Sequence, residues 1–225
     1  MIRTERAEQN EITIDRGEVF RYLGLRGAAP DTATAALVEK CIAEIRPHLS
    51  FSACFDTFRI EKNPDGSLNL GFADVRSKSL EKALGGCGEI ILFAATIGHE
   101  TDRIIQKYSA VSPSSAVVSQ AIGAAAIEEW CDCLCRRFAA RVKARNMYLR
   151  PRFSPGYGDL PLELQRKILP VLDCGRRIGV TLTESLLMMP SKSVSAIVGL
   201  SGNDTGCARH GCEECGNIEC NFRRS

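Results

Sequence analysis

The sequence of 225 residues lacks several features that would assign it to a specialised class of protein. Nowhere do 18 apolar residues follow one another, so no segment is predicted to cross a membrane, and residues 1–19 lack the apolar stretch of a secretory signal. The numbers of positive and negative residues are nearly equal, with 29 Lys and Arg and 27 Asp and Glu. This near-balance gives no field that favours nucleic acid or an acidic membrane surface. We therefore expect a cytoplasmic protein that binds neither of them.

Histidine is scarce, with three residues, and nothing in the positions of His48 and His99 points to a role for them. Cysteine is abundant, with eleven residues, which in a short secreted chain would suggest disulfides. Without a secretory signal, and with core-like surroundings for several of the cysteines, we expect reduced thiols. The hydrophobic fraction of 44% is large enough for a substantial core.

The first half of the chain predicts one helix and several strands. Asp31 is a suitable N-cap for an amphipathic helix that runs to about His48. Residues 51–60 and 67–72 alternate in polarity around a Pro-Asp-Gly turn, which predicts a β-hairpin. Residues 88–98 form a continuous apolar run that predicts a central strand. Residues 20–27 predict only an edge strand or a turn.

The second half predicts two helices and further strands. A long helix is expected from Ser114 or Ser115 to about Asn146, with one apolar stripe made of Val118, Ile122, Ala126, Trp130, Leu134, Phe138 and Val142. Asp159 is a suitable N-cap for another helix that continues to Gly175, and residues 180–200 predict β-structure with a turn near 189–192. Strands and helices mix without regular βαβ alternation, which predicts an α+β fold.

Two short segments carry most of the functional information: residues 152–159, RFSPGYGD, and residues 182–195, LTESLLMMPSKSVS. The guanidinium group of Arg152 is a natural partner for a small carboxylate. Pro155 and Gly156 allow a tight turn with exposed backbone hydrogen-bonding groups, and Tyr157 adds a flat face and a hydroxyl group. Such a turn could also serve only to start the next helix. In the second segment, alternation of Ser193 and Ser195 is typical of a half-buried strand.

Glu128 and Asp132 are four residues apart on the predicted long helix, so they share a face. Two carboxylates there could attract an ammonium or sulfonium group of a ligand. They could equally be a solvated pair, with Asp132 four residues before Arg136. Cys131, Cys133 and Cys135 alternate along the same helix, which divides them between faces and favours core packing over a shared metal.

The two segments, in this order and with a helix between them, resemble the activation domain of cobalamin-dependent methionine synthase. The resemblance covers roughly residues 85–200 and implies a mainly antiparallel sheet with long flanking helices. It also implies an S-adenosylmethionine site, to which it assigns Arg152, Ser154, Pro155, Gly156 and Tyr157. The family has an acidic ligand-binding residue on the corresponding helix, which we assign to Glu128, with Glu129 and Asp132 as alternatives.

The chain departs from the family pattern on both sides of the site. Methionine synthases continue the first motif with Pro-Ala-Cys-Pro-x-His, whereas residues 158–161 read Gly-Asp-Leu-Pro. Aromatic ligand contacts follow the second motif in the family, whereas residues 196–206 here contain no aromatic residue. The resemblance therefore assigns no ligand contacts beyond Tyr157.

The C-terminal segment carries a separate signal, to which the family resemblance does not extend. Cys207, Cys212, Cys215 and Cys220 are spaced C-x4-C-x2-C-x4-C, and four thiolates at such density predict a site for zinc or an iron-sulfur cluster. A redox-active or an unstructured Cys-rich tail is the alternative. We therefore divide the chain into one α+β domain, residues 1–200, and a Cys-rich tail, residues 201–225.

The resemblance implies a function in the reactivation of oxidised cobalamin. In this reading, an electron from a low-potential donor and the methyl group of S-adenosylmethionine restore methylcobalamin on a partner. The partner is a cobalamin-dependent methionine synthase or another corrinoid protein, because the chain contains no Asp-x-His-x-x-Gly motif of a cobalamin module. We expect a free-standing activation protein with methyltransferase activity. The alternatives are a non-catalytic S-adenosylmethionine-binding module that docks on a corrinoid protein, and a metal-binding protein whose ligand site has decayed.

Overall fold

The structure, a computed structural model, describes residues 1–25 and 28–203. A five-stranded sheet forms its centre, and all of its strand pairs are antiparallel. With strands numbered in chain order, the spatial order is β1 (Arg3–Ala7), β2 (Phe51–Arg59), β6 (Cys87–Thr96), β10 (Ser193–Ser201) and β7 (Tyr148–Leu149). The apolar run of residues 88–98 is thus the central strand of the sheet, as predicted.

Two smaller sheets lie outside the central one. They consist of β3 (Glu61–Lys62), β4 (Leu68–Asn69) and β5 (Asp74–Val75), and of β8 (Thr181–Leu182) and β9 (Met188–Met189). The helices are α1 (Arg16–Tyr22), α2 (Thr32–Ile45), α3 (Lys78–Ala83), α4 (Glu100–Val111), α5 (Pro113–Lys143), α6 (Gln165–Val171) and α7 (Cys174–Ile178). The predicted α+β fold with an antiparallel sheet and long helices is confirmed.

The long helix α5 covers one face of the sheet. All seven residues of its predicted apolar stripe are buried, and they pack with α1, α2 and the alternate side chains of β2, β6 and β10. Trp130 is completely buried, and its indole N–H donates a hydrogen bond to the carbonyl of Ser52 on β2 at 3.1 Å. The stripe was predictable because a helix of 31 residues offers many turns of consistent periodicity.

A second core lies on the opposite face of the sheet, under α3, α6 and α7. Leu80 of α3, Ile168 of α6 and Cys174 of α7 are buried there against Leu92 and Cys54 of the sheet. The thiols of Cys54 and Cys174 are 3.6 Å apart. The seven cysteines within the described residues are all free thiols, as expected.

The structure confirms the cap of α2 and corrects two other predictions in the first half. Asp31 accepts a hydrogen bond from the N–H of Thr34 at 2.6 Å, as an N-cap does. Residues 20–22, predicted as an edge or turn, belong to α1, whose N-cap is Asp15. The predicted hairpin was wrong in its pairing: β2 pairs with β1 and β6, and only Glu61–Lys62 pairs with Leu68–Asn69.

The predicted helix from Asp159 to Gly175 was also wrong in its extent. Residues 162–164 form a single 3₁₀ turn, α6 ends at Val171, and α7 is a separate helix. Asp173, between the two helices, has a left-handed backbone conformation, which interrupts helical hydrogen bonding. Asp159 caps a different helix, α3, as described below.

Candidate functional site

The segment that contains Arg152 continues the edge of the central sheet. After β7 ends, the N–H and the carbonyl of Phe153 both bond to Ile197 of β10, at 2.9 Å and 2.8 Å. Side chains alternate along such an extended segment. Phe153 therefore packs into the second core, and Arg152 points to the other face, where α5 lies.

Arg152 bridges two carboxylates of α5. Its Nη2 atom donates to Glu128 Oε2 at 3.0 Å and to Asp132 Oδ1 at 2.8 Å, and all three side chains are partly buried. Glu129 instead accepts a hydrogen bond from Arg136 at 2.7 Å. Of the three acidic residues considered from the sequence, the structure therefore brings Glu128 and Asp132 together with Arg152.

The acidic surroundings hold Arg152 in its charged form. Burial of the guanidinium group opposes the charge, but the carboxylates of Glu128 and Asp132 favour it, and the pKa of Arg152 is raised above its ordinary value. Burial in turn raises the pKa of the Cys131 thiol and keeps it protonated. The cluster is thus a fixed cation between two anions on a part-buried helix face.

The Pro155–Gly156 turn forms as predicted. Gly156 has a φ of 89°, a left-handed conformation that glycine adopts without strain, and its N–H donates to the carbonyl of Leu160 at 2.9 Å. The N–H of Tyr157 donates to the carbonyl of Ser154 at 3.2 Å. Tyr157 is 67% exposed, and the centroid of its ring is 6.5 Å from that of Phe153. The turn therefore presents a tyrosine face to solvent.

Asp159, at the end of the motif, holds the N-terminus of α3. Its carboxylate accepts from the Ser77 hydroxyl at 2.5 Å and from the N–H groups of Lys78 and Ser79 at 2.8 Å and 3.0 Å. The hydrogen bond from Ser77, with those from the two N–H groups, lowers the pKa of Asp159 well below its usual range. The sequence motif is thereby anchored to the second core.

The second motif forms a hairpin and the start of β10. The hydroxyl of Thr183 lies 3.0 Å from that of Ser185 and accepts from the N–H of Leu187 at 3.0 Å. The Ser193 hydroxyl donates to the carbonyl of Pro190 at 2.7 Å. Ser195 is buried in the sheet. These contacts give most of this motif a structural role, and the strand predicted at Ser193 and Ser195 is present.

Asp132, named from the sequence as an alternative to Glu128, makes the shorter of the two contacts to Arg152. One neighbour of the site was not assigned from the sequence. Helix α1 packs against α5, and Tyr22 lies close enough to Glu128 that this carboxylate contributes to the raised pKa of Tyr22, after the effect of burial. No motif in residues 16–22 indicated this neighbour.

The predicted metal site falls outside the described residues, because Cys207, Cys212, Cys215 and Cys220 all follow residue 203. Within residues 1–25 and 28–203, no group of three or more His, Cys, Asp or Glu side chains is arranged to hold a metal ion. In the same part of the chain, no helix has both the length and the apolar character needed to span a bilayer.

Residues 55–205 match the family described as "Vitamin B12 dependent methionine synthase, activation domain". The matched range includes both motifs and α5, and it ends before Cys207. No curated protein matches the chain.

Among solved structures, the crystal structure of the MetH reactivation domain bound to AdoHcy is similar, with a TM-score of 0.68. The alignment covers 92% of this chain and 80% of that chain, at 18% identity. This likeness extends over the N-terminal residues that the family match leaves out, and it shows that the two chains share a fold.

Proposed function

The chain belongs to the vitamin B12 dependent methionine synthase activation domain family, and we propose that it binds S-adenosylmethionine and supports the reductive remethylation of cobalamin. The observation that carries this proposal is the family match across residues 55–205, which contain the Arg152 cluster and the Pro155–Tyr157 turn. The family relation implies that the cobalamin is carried by a partner, a methionine synthase or another corrinoid protein.

The charges of the Arg152 cluster fit the amino-acid portion of S-adenosylmethionine. That portion carries one ammonium and one carboxylate, and the cluster offers one guanidinium and two carboxylates. We propose that the ligand carboxylate takes the fork of Arg152 and that its ammonium takes Glu128 or Asp132. Each buried charge then keeps a partner when the ligand enters, which avoids the cost of an unpaired charge in a part-buried site.

The remaining residues of the site would bind the nucleoside and exclude water. In the turn at Ser154, Pro155 and Gly156, the exposed Gly156 offers a backbone carbonyl that can accept a hydrogen bond from the adenine amino group, and the exposed Tyr157 can cover the ligand. With both ends of the ligand held, the sulfonium methyl group is oriented towards the partner, a proximity effect. Cobalamin supplies the chemistry of accepting one electron and the methyl group.

Calorimetry with S-adenosylmethionine tests the binding part of the proposal. We expect one site per chain, and Arg152→Ala should weaken binding by about 2 to 4 kcal/mol, in the range for truncating one partner of a buried charge pair. Glu128→Gln should also weaken binding. Glu129→Gln is the matched control, because that neighbouring carboxylate pairs with Arg136 and should leave the affinity unchanged. Absence of binding by the unaltered chain would contradict the proposal.

A remethylation assay separates turnover from binding alone. The chain is mixed with a cobalamin-dependent methionine synthase that lacks its own activation domain, a low-potential reductant and methyl-labelled S-adenosylmethionine. We expect label in methylcobalamin and recovery of methionine synthesis, both reduced by Arg152→Ala. Binding without transfer of label would favour the alternative function, a non-catalytic module that docks on a corrinoid protein.

A further inference from the structure

A basic cleft of about 650 Å³ lies between the edge strand β1 and the helix α7. It is lined by Thr4 and Arg6 of β1, by Arg176 and Arg177 of α7, and by Asp173, which precedes that helix. Thr4 is opposite Cys54 in the pairing of β1 with β2, and Cys54 belongs to the second core. The side chain of Thr4 therefore lies on the same face of the sheet as the second core. The cleft is therefore on the face of the sheet that α5 does not cover.

The cleft has an excess of positive charge that the chain does not neutralise locally. Three arginines face one aspartate in its lining. The carboxylate of Asp173 is 3.7 Å from Nε of Arg177, so its charge is directed at that residue. Among the described residues, no carboxylate comes within 4 Å of the guanidinium groups of Arg6 and Arg176. By contrast, many other arginines, such as Arg16 and Arg145, hold a carboxylate at about hydrogen-bonding distance.

The two arginines without a carboxylate partner are also open to solvent, because Arg6 and Arg176 are both exposed. Nε of Arg177, by contrast, is buried from solvent and makes no hydrogen bond, since 3.7 Å is too long for one. An anion in the cleft therefore does not reach this nitrogen. It would pair with the two unneutralised guanidinium groups of Arg6 and Arg176.

We propose that this cleft binds the phosphate group of a small phosphorylated molecule. Guanidinium groups bind phosphate oxygens through two parallel hydrogen bonds, and three of them with the Thr4 hydroxyl provide more donors than a single carboxylate can use. The volume falls in the range of about 300 to 1,000 Å³ that is usual for small-molecule sites, which allows a nucleotide-sized molecule around the phosphate.

The site is independent of the proposed S-adenosylmethionine site. Arg152 points to the face of the sheet that α5 covers, whereas Arg176 and Arg177 lie on the opposite face. The five strands of the central sheet separate the two sites. Failure of one proposal therefore does not decide the other, and S-adenosylmethionine binding can be measured in the same variants as a check.

The experiment is calorimetry on the full chain with three phosphate probes and one carboxylate probe: inorganic phosphate, pyrophosphate, ADP and citrate. We expect saturable one-to-one binding of at least one phosphate probe, weakened by raised salt. Which phosphate probe binds most tightly identifies the source, a free anion or a nucleotide. Arg6→Ala and Arg176→Ala should each weaken binding by about tenfold or more, the effect of losing one charge-assisted hydrogen bond.

The matched control is Arg103→Ala, which removes an exposed arginine of α4 that pairs with Glu100 and does not line the cleft. It should leave the affinity unchanged. Arg6 and Arg176 are both exposed, so their variants are expected to fold, and unaltered S-adenosylmethionine binding would verify this. The proposal is overturned if no phosphate probe binds, if only citrate binds, or if Arg103→Ala weakens binding as much as Arg176→Ala.

Discussion

The carboxylate of Asp159 accepts a hydrogen bond from the hydroxyl of Ser77, 82 residues earlier in the chain, at 2.5 Å. The Ser77 hydroxyl in turn accepts from the N–H of Leu80 at 3.0 Å. Together the two side chains satisfy the first N–H groups of α3, which have no partner within the helix. The end of the segment of residues 152–159 is therefore attached, through α3, to the second core.

Replacing Asp159 should loosen this attachment. We expect Asp159→Ala to lower the thermal unfolding midpoint, because the hydroxyl of Ser77 and two N–H groups lose their acceptor. Asp159→Asn should have a smaller effect, since its amide oxygen keeps one acceptor. Glu163→Gln, an exposed acidic residue nearby, serves as the control and should leave the midpoint unchanged. Equal midpoints for the Asp159 and Glu163 variants would refute the role of Asp159.

The same contact predicts a dependence of stability on pH. The hydrogen bond from Ser77 lowers the pKa of Asp159 below the value of about 3.9 that an unfolded aspartate has. The folded state thus binds the proton less tightly than the unfolded state, and the contribution to stability is complete above about pH 4 and is lost as the pH falls further. Urea unfolding of the wild type and of Asp159→Asn should show stability curves that converge below pH 4. Curves that stay parallel down to pH 2 would contradict this.

The contrast between α5 and Asp159 shows what could be predicted from the sequence. The apolar stripe of α5 is a local and repeated pattern, so the helix and its buried face could be predicted from the sequence. The same periodicity predicted that Glu128 and Asp132 lie on one face of this helix. N-cap chemistry identifies Asp159 as an acceptor for free N–H groups, but it does not say which helix end approaches it in space. The requirement for glycine at position 158 likewise depends on a contact distant in the chain, since a Cβ there would lie 2.5 Å from the Ser79 hydroxyl.

Strand pairing was not predictable for a similar reason. The alternation of residues 51–60 indicated a strand, and the nearby turn suggested a local partner. In the structure, β2 instead lies between β1 and β6 and is covered on both faces of the sheet. Its pairing with these two strands depends on residues that are distant in the chain. Local turn chemistry determined only the short pairing of β3 with β4.

The four tail cysteines remain a prediction from the sequence. Chain purified without oxygen should contain about one zinc ion or one iron-sulfur cluster, because four thiolates are a complete ligand set for either. Metal analysis and the absorption spectrum distinguish the two. Cys212→Ser should abolish the metal, whereas Cys133→Ser, on α5, should not. Metal-free protein in which Cys207, Cys212, Cys215 and Cys220 all titrate freely would exclude the site.

Gly199 of β10 tests the packing of the second core. A Cβ at this position would lie 2.7 Å from Sγ of Cys87 and 2.9 Å from Cδ2 of Leu84. Gly199→Ala should therefore destabilise the protein by about 1 to 3 kcal/mol, the usual cost of overpacking. Gly88→Ala, in β6, is the matched control, because no atom lies within 4 Å of its added Cβ. Denaturant unfolding measures both, and Cys87→Ala should partly restore the stability of Gly199→Ala.

Glu128 and Asp132 should be coupled through Arg152, because both accept from the same Nη2 atom. After Glu128→Gln or Asp132→Asn alone, the guanidinium group keeps one charged partner. After both substitutions it is a part-buried cation without one, so the double variant should lose more stability than the two single losses combined, by about 0.5 to 3 kcal/mol. A double-mutant cycle in urea measures this coupling. Repeating the cycle with Arg152→Ala as background should abolish it, and additive losses in the wild-type background would show that Arg152 does not join the two carboxylates.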